Sequence, residues 1–548
     1  MPGKKKPKAN PAATPVTQGL IGDPPPGGCV IRMYRIGHGD CFLLAFPRDG
    51  GGKPVFVMID CGYKPGSTSM IESPSPATVE EVIANLKATT GGFIDVVVIT
   101  HEHQDHLNGI TEKRFGDVHI GELWLAWTEN PKDEVANALR RSFKDRLVGL
   151  IGAHRSMVGL LEQKRSLGLA GTSEAEAEAA RAERLADLLA FELGGDPSDD
   201  MRPSLAVGVG AAFPADGIGA NKAAMALCKR NASEVRFLSP QDPSIAPPGA
   251  GAVRVFPLGP PRDEAKIEDL DPEGDEQFHL ALDSGAEGFL SLFGASEAEA
   301  GSTACDYPDS WTSPFHPRYA VSLSQAGDDP EVSDFYRRRY DGAPLPPNGD
   351  EVPDSANFRR IDGDWLGAAE QIALDMNSYT NNASLVLAFE LSPGGKVLLF
   401  AADAQRGNWM SWAEQSFSDG NRTVTTRDLL GRTVVYKVGH HGSHNATLNG
   451  TAAATHPCLG WMGQGPAAKE FVAMITAVWP WAKTQKGWIH PLPAIKAALA
   501  EKASGRVFQT DTDFETMAAK AGANPEWSAF AARSEGNRLW FDLKINPS

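Results

Sequence analysis

The chain has no apolar run close to the ~20 residues that a membrane-spanning helix needs, no cysteines at Cys-X-X-Cys spacing and no repeat at a fixed period. These absences argue against a helical membrane protein, a cysteine-ligated zinc ribbon and a solenoid. Positive charge is also short. With 52 Lys and Arg against 69 Asp and Glu, the formal net charge is −17. Proteins that clamp long duplex DNA neutralise phosphates with basic surface, so this balance disfavours broad nucleic-acid binding and leaves room only for a local groove. Six cysteines (Cys29, Cys41, Cys61, Cys228, Cys305, Cys458) in 548 residues are too few for a stapled scaffold. They fit reduced thiols and a cytoplasmic setting. Residues 1–28 carry Lys4, Lys5, Lys6 and Lys8 with no apolar core behind them and end in a Pro/Gly hinge. They read as a disordered basic tail, not a secretory signal.

What the sequence does have is concentrated at one stretch. Val96-Val97-Val98-Ile99 lacks polar alternation and reads as a strand buried on both faces. It runs into Thr100-His101-Glu102-His103-Gln104-Asp105-His106, which holds three of only 13 histidines. Imidazole nitrogens and carboxylate oxygens are the ligands a borderline cation such as zinc accepts. In an extended segment alternate side chains share a face, so His101 and His103 can grip one ion. If the chain then turns, Asp105 and His106 swing towards a second.

Other strand ends carry similar chemistry. Val30–Ile36, Cys41–Phe46 and Val55–Ile59 are separated by Gly-rich turns and read as an antiparallel meander. The meander includes Gly37-His38-Gly39-Asp40 and ends at Asp60-Cys61-Gly62, where Cys61 reads as a small core residue or a metal neighbour. Thr78–Leu86 reads as a helix and Ile120–Trp127 as a strand. Farther on, Leu385–Glu390 and Lys396–Phe400 form a hairpin that ends at Asp403, and Thr433–Val438 runs into Gly439-His440-His441-Gly442-Ser443.

His-X-His-X-Asp-His after a buried strand resembles the signature of metallo-β-lactamase-fold hydrolases. Gly-His-Gly-Asp, Ile-Asp-Cys-Gly and His-His-Gly-Ser together look most like the soluble hydrolase domain of bacterial DNA-uptake (competence) channel proteins. The resemblance covers about residues 29–127 and 380–548. It implies an α/β fold, a four-layer αββα sandwich, built from halves at 29–129 and 380–548. A large insertion at 130–379 would separate them, helical over 130–200 and mixed and loop-rich over 230–379.

It also implies two divalent ions, zinc or alternatively manganese, held by His101, His103, Asp105, His106, Asp403 and His441. Asp403 would bridge them, with Ala402 where the family usually has glycine. Asp105 would also orient the nucleophile, and His440 would face the substrate as a proton donor, although the roles of His440 and His441 could be exchanged. Asp60 would orient ligands by hydrogen bonds. His38, Asp40, Asn382, Ser443 and His490 are candidates for the surrounding shell or the substrate cleft. A local turn explains His38 and Asp40 equally well, and helix packing explains His490. Where many members carry a further metal-binding histidine, this chain has Asn381-Asn382-Ala383-Ser384, which leaves the first ion His101, His103 and Asp403.

The reaction implied is hydrolysis by metal-activated hydroxide, with a phosphodiester in nucleic acid or a nucleotide as leading substrate. A small carbonyl ester, lactone or lactam is the alternative. A non-catalytic scaffold using its insertion for a protein partner is the rival from another class. Nothing in the helical insertion demands catalysis. Arg337-Arg338-Arg339 between Tyr336 and Tyr340 suits phosphate or base contact, or simply a charged helix face.

Overall fold

The computed structural model describes residues 19–166, 173–194, 219–240, 242–278, 364–485, 488–521 and 525–547. The start of the basic tail, Cys305 and the Arg337–Arg339 run lie outside the described residues. The chain is mixed α/β. Its strands are β1 (Cys29–Tyr34), β2 (Cys41–Phe46), β3 (Val55–Cys61), β4 (Phe93–Val98), β5 (His119–Ala126), β6 (Ala232–Leu238), β7 (Arg254–Gly259) and β8 (Val386–Glu390). They continue as β9 (Val397–Phe400), β10 (Ser416–Asp419), β11 (Arg422–Thr425), β12 (Thr433–Lys437), β13 (Val472–Ile475), β14 (Val507–Gln509), β15 (Ser534–Gly536) and β16 (Trp540–Ile545).

Two large sheets result, in the orders β15-β16-β1-β2-β3-β4-β5-β6 and β14-β13-β12-β9-β8-β7; β10 and β11 form a small ribbon. β1, β2 and β3 make the expected antiparallel meander. From β3 to β6 the first sheet is parallel. Val96, Val97 and Val98 are fully buried, which is why β4 carries no polar alternation.

One apolar cluster is shared by the two sheets: Phe42, Leu44, Val96 and Val98 pack with Phe389, Leu398, Phe400 and Met474. The Phe42 and Phe400 rings meet edge to face with centroids 5.3 Å apart. Burying each such side chain contributes about 1.5–3 kcal/mol. The first sheet's other face, including Val97 and Leu123, packs against Val82 and Leu86 of the helix Val79–Thr90 and Met225 of the helix Ala220–Asn231. The former helix opens with a Thr78–Glu81 capping box and closes on Gly91 at φ 70°. On the second sheet, Leu399 and Tyr436 pack with Trp409, Ile495 and Leu499.

The stretch 130–379 does not stand apart from the sheets. β6 pairs with β5, and β7 pairs with β8, so each sheet takes an outermost strand from it. β6 is only partly buried along most of its length, as befits the outermost strand of its sheet. The helices Glu134–Ser166, Ser173–Leu193 and Asp364–Asn382 gather round their own cluster, with Leu150, Met157, Leu185, Leu189 and Met376 at its centre. Among the described residues, no helix is long and apolar enough to cross a membrane.

Candidate metal centre

The polar residues converge at the C-terminal ends of β3, β4, β9, β12 and β13, where parallel strands leave their loops on one edge of the two sheets. Close backbone approach makes this convergence possible. A Cβ on Gly62 would lie 2.2 Å from the His106 nitrogen, and one on Gly39 2.5 Å from the Asp105 carbonyl oxygen. Both glycines therefore seat their loops directly on the Asp105–His106 turn.

One ligand atom from each of Asp105, His106, Asp403 and His441 lies within 4.8 Å of all the others, and all four residues are buried. His106 Nε2 is 3.2 Å from Asp403 Oδ2. His441 Nε2 is 3.1 Å from Asp105 Oδ2 and 3.6 Å from Asp403 Oδ2. Beside this group, His101 Nε2 faces His103 Nδ1 at 3.1 Å. Asp105 Oδ1 and His106 Nε2 are buried without a hydrogen-bond partner. Buried, unpartnered nitrogen and oxygen atoms among imidazoles and carboxylates are what a divalent cation would satisfy, so the residues present fit a metal ion.

A supporting ring fixes these side chains. Asp60 takes hydrogen bonds from the Thr100 backbone N–H at 2.8 Å, the Thr100 hydroxyl at 2.7 Å and His106 Nδ1 at 2.7 Å, turning His106 Nε2 inward. His101 Nδ1 lies 3.1 Å from the Thr100 hydroxyl and 3.2 Å from that of Ser384. Thr476 holds His441 Nδ1 at 3.0 Å through both its carbonyl and its hydroxyl, and that hydroxyl donates to Asp40 at 2.5 Å. Asp40 therefore braces His441 through Thr476. Its other oxygen lies 2.5 Å from the buried Lys437 ammonium, which also donates to the Ala402 carbonyl at 2.9 Å and faces Asp403 Oδ1 at 3.4 Å.

Burial alone would raise the Asp105 and Asp403 carboxyls, but facing cations and imidazoles outweigh it and hold both well below the usual carboxylate range. Burial also pulls His106 down, yet Asp403, Asp60 and Asp40 together raise it well above its ordinary value. His101, His38 and His490 are pushed well below theirs by burial, and His440 to about 4. Lys64, buried close to Asp105 and Glu192, falls to about 7 for the same reason.

Backbone strain collects here as well. Asp60, Ala402, His440 and His441 have φ of 53°, 49°, 41° and 53°. Non-glycine residues in this region cost on the order of 1–3 kcal/mol each and cluster where function over-determines the backbone. The left-handed turn at Ala402 is a conformation that a glycine would adopt without strain.

Other candidates divide. His441 belongs to the four-residue group, whereas His440 Nε2 stands 4.0 Å from Asp403 and 3.3 Å from the Asn381 amide. His38 is fully buried, its ring tilted against those of His441 at 4.6 Å and Trp481 at 4.9 Å, with Nε2 unpartnered. The His490 ring lies 5.4 Å from His440 and 4.8 Å from Trp488, in the same aromatic wall.

Two candidates point elsewhere. Asn382 spends its amide on the carbonyls of Lys266, Ile267 and Asp269, and its oxygen takes the Gln405 N–H. Its neighbour Asn381 is the one that reaches His440. Ser443 donates to Asn445 at 3.1 Å and makes no bond to the four-residue group. Cys61 packs in the apolar cluster beneath the first sheet's helices. The five described cysteines are free and buried.

Beyond the expected residues the site includes Glu192, Thr476, Lys437 and Lys64, and within the 381–384 stretch it uses Asn381 and Ser384. Lys437 had a signal, a lone charge in the otherwise uncharged strand Thr433–Val438. Glu192 comes from the inserted helices, where nothing in the sequence demands catalysis, yet its Oε1 lies 3.0 Å from His103 Nε2. No family model matches this sequence, and no curated protein or solved structure is significantly similar to it.

Proposed function

We propose that this chain is a metal-dependent hydrolase of the metallo-β-lactamase type, a four-layer αββα sandwich whose preferred substrate is a phosphodiester. The observation that carries the reading is the meeting of Asp105, His106, Asp403 and His441, from three distant segments, with ligand atoms within 4.8 Å of each other. Asp105, His106, Asp403 and His441 would hold one ion; His101 and His103, sharing Asp403, would hold the other. When bound, zinc or manganese would supply Lewis acidity and acidify water near neutral pH.

The chain's own residues do the rest. Asp60, Thr476 and the Thr100 and Ser384 hydroxyls orient the imidazoles. Lys437, paired with Asp40, steadies Asp403. His440, with Nδ1 lacking a hydrogen-bond partner and Nε2 steadied by Asn381, is positioned to pass a proton to a leaving oxygen. Lys64, Trp488 and His490 line the same side and suit an anionic, ring-bearing substrate. The net charge of −17 favours short single strands or nucleotides over long duplex.

Purified full-length protein with manganese or zinc, screened against single-stranded DNA, RNA and cyclic dinucleotides, is expected to cleave at least one class. Asp403→Ala should not. Turnover of a lactone or chromogenic lactam alone would move the substrate assignment to carbonyl chemistry. Absence of bound metal together with absence of turnover would leave a scaffold.

A further inference from the structure

We infer that Glu192, at the end of the inserted helix Ser173–Leu193, is a positioning residue for the His101–His103 half of the centre, so that the insertion completes the metal site. This rests on the dinuclear reading above. The His103 ring has two nitrogens with opposite tasks. Nδ1 faces His101 Nε2 at 3.1 Å, and Nε2 faces Glu192 Oε1 at 3.0 Å. A carboxylate on one ring nitrogen takes its N–H and leaves the other nitrogen's lone pair for an ion, raising its basicity. The Thr100 and Ser384 hydroxyls occupy His101 Nδ1 in the same way. Both remaining nitrogens therefore point at a common place.

The helix end is built to deliver this carboxylate. The Asn221 amide donates to the carbonyls of Phe191 at 2.8 Å, Glu192 at 3.2 Å and Glu102 at 2.8 Å, tying the insertion to the residue just before His103. Gly194 turns the chain at φ 71°, where a Cβ would lie 1.9 Å from Asn221 Oδ1. Phe191 meets the His103 ring edge to face at 5.5 Å and the Trp488 ring at 5.4 Å. From the helix Asp364–Asn382, the Thr380 hydroxyl reaches the same Glu192 oxygen at 3.4 Å. Glu192 is buried at 7% exposure. A carboxylate so placed with no task at the centre would cost desolvation without return.

The test is metal binding, independent of turnover. Metal-free wild type, Glu192→Gln and Glu192→Ala are titrated with zinc against a chromophoric chelator, and cobalt spectra are recorded in parallel. Wild type should take up two equivalents. In both variants one equivalent should weaken by about 10–100-fold, less in Glu192→Gln than in Glu192→Ala, with the other unchanged and the cobalt bands altered. If Glu192→Ala fails to fold by circular dichroism, the near-isosteric Glu192→Gln carries the comparison. Wild-type affinity at both equivalents in Glu192→Gln, with unchanged cobalt bands, overturns the inference. Equal weakening at both also overturns it, since that is the mark of a general structural defect. Wild type that binds no metal overturns the dinuclear reading itself, a result reached before any variant is made.

Discussion

Lys437 and Asp40 form an ion pair at 2.5 Å with side chains only 1% and 2% exposed, directly behind the proposed bridging carboxylate. Burial pulls the ammonium down, but Asp40 and Asp403 together leave its pKa above the ordinary lysine value, so it stays charged. Removing one partner of a buried pair strands the other charge in a low-dielectric setting. Lys437→Met should cost about 3–5 kcal/mol of unfolding free energy. Replacing both, Lys437→Met with Asp40→Leu, should recover much of that loss while still impairing metal binding. Denaturant unfolding of the three proteins measures it. Equal loss in the single and double variants would show that the pair is not the unit of stability.

Ligand binding to the native state alone raises stability by about 2.7 kcal/mol at a hundredfold excess over Kd and about 4.1 kcal/mol at a thousandfold. Zinc added to chelator-stripped protein should therefore raise the melting temperature by several degrees. The same addition to Asp403→Ala should raise it far less, because that carboxylate faces both His106 and His441. Differential scanning fluorimetry across a zinc series is sufficient. Parallel shifts in the two proteins would place the binding elsewhere.

How much of this was legible in the sequence follows from what local pattern encodes. The β4 strand and its histidines stood out because a run buried on both faces has no alternation, and because ligand residues at its end have no packing role. Asp403 and His441 were found the same way, as polar residues closing apolar strands. Glu192 was hidden because a glutamate in an Ala/Leu/Glu-rich helix looks like any solvated face until the partner, His103, is known to lie 89 positions away in the chain. β6 and β7 read as short strands inside an insertion, because local pattern does not say which sheet a strand will join. Thr476 and Ser384 are ordinary in sequence. Only the fold shows that their hydroxyls meet imidazoles.

The two adjacent asparagines should separate cleanly. Asn382 ties the 266–269 loop to the backbone just after Asp403 through four hydrogen bonds, with its side chain fully buried. Asn382→Ala should thus lose on the order of 2–4 kcal/mol of stability, since several buried polar groups lose their partner together. Asn381 instead touches His440 at 3.3 Å. Asn381→Ala should stay within about 1 kcal/mol of wild type but lower turnover roughly tenfold, a modest share of what a general acid contributes. Unfolding curves and initial rates on the same two variants decide. A stable but inactive Asn382→Ala would return Asn382 to the substrate cleft.

Acid sensitivity away from the centre has a specific source. Arg538 pairs with Glu81, which also closes the Thr78 capping box, and the Arg538 hydrogen bond leads the effects that hold the Glu81 carboxyl at about 2. A carboxyl whose folded pKa lies below its unfolded value of about 4.3 stabilises the fold fully above that unfolded value. The contribution fades as pH falls towards the folded value. Because the Glu81 side chain is 40% exposed, solvent screening limits the pair to about 1 kcal/mol or less. Between pH 6 and pH 3, wild type should lose more stability than Glu81→Gln, whose neutral amide has no proton to gain, and the two curves should converge towards pH 2. Urea midpoints measured at each pH would show it. A gap that stays constant over this range would mean that capping, not charge, is the whole of Glu81's contribution.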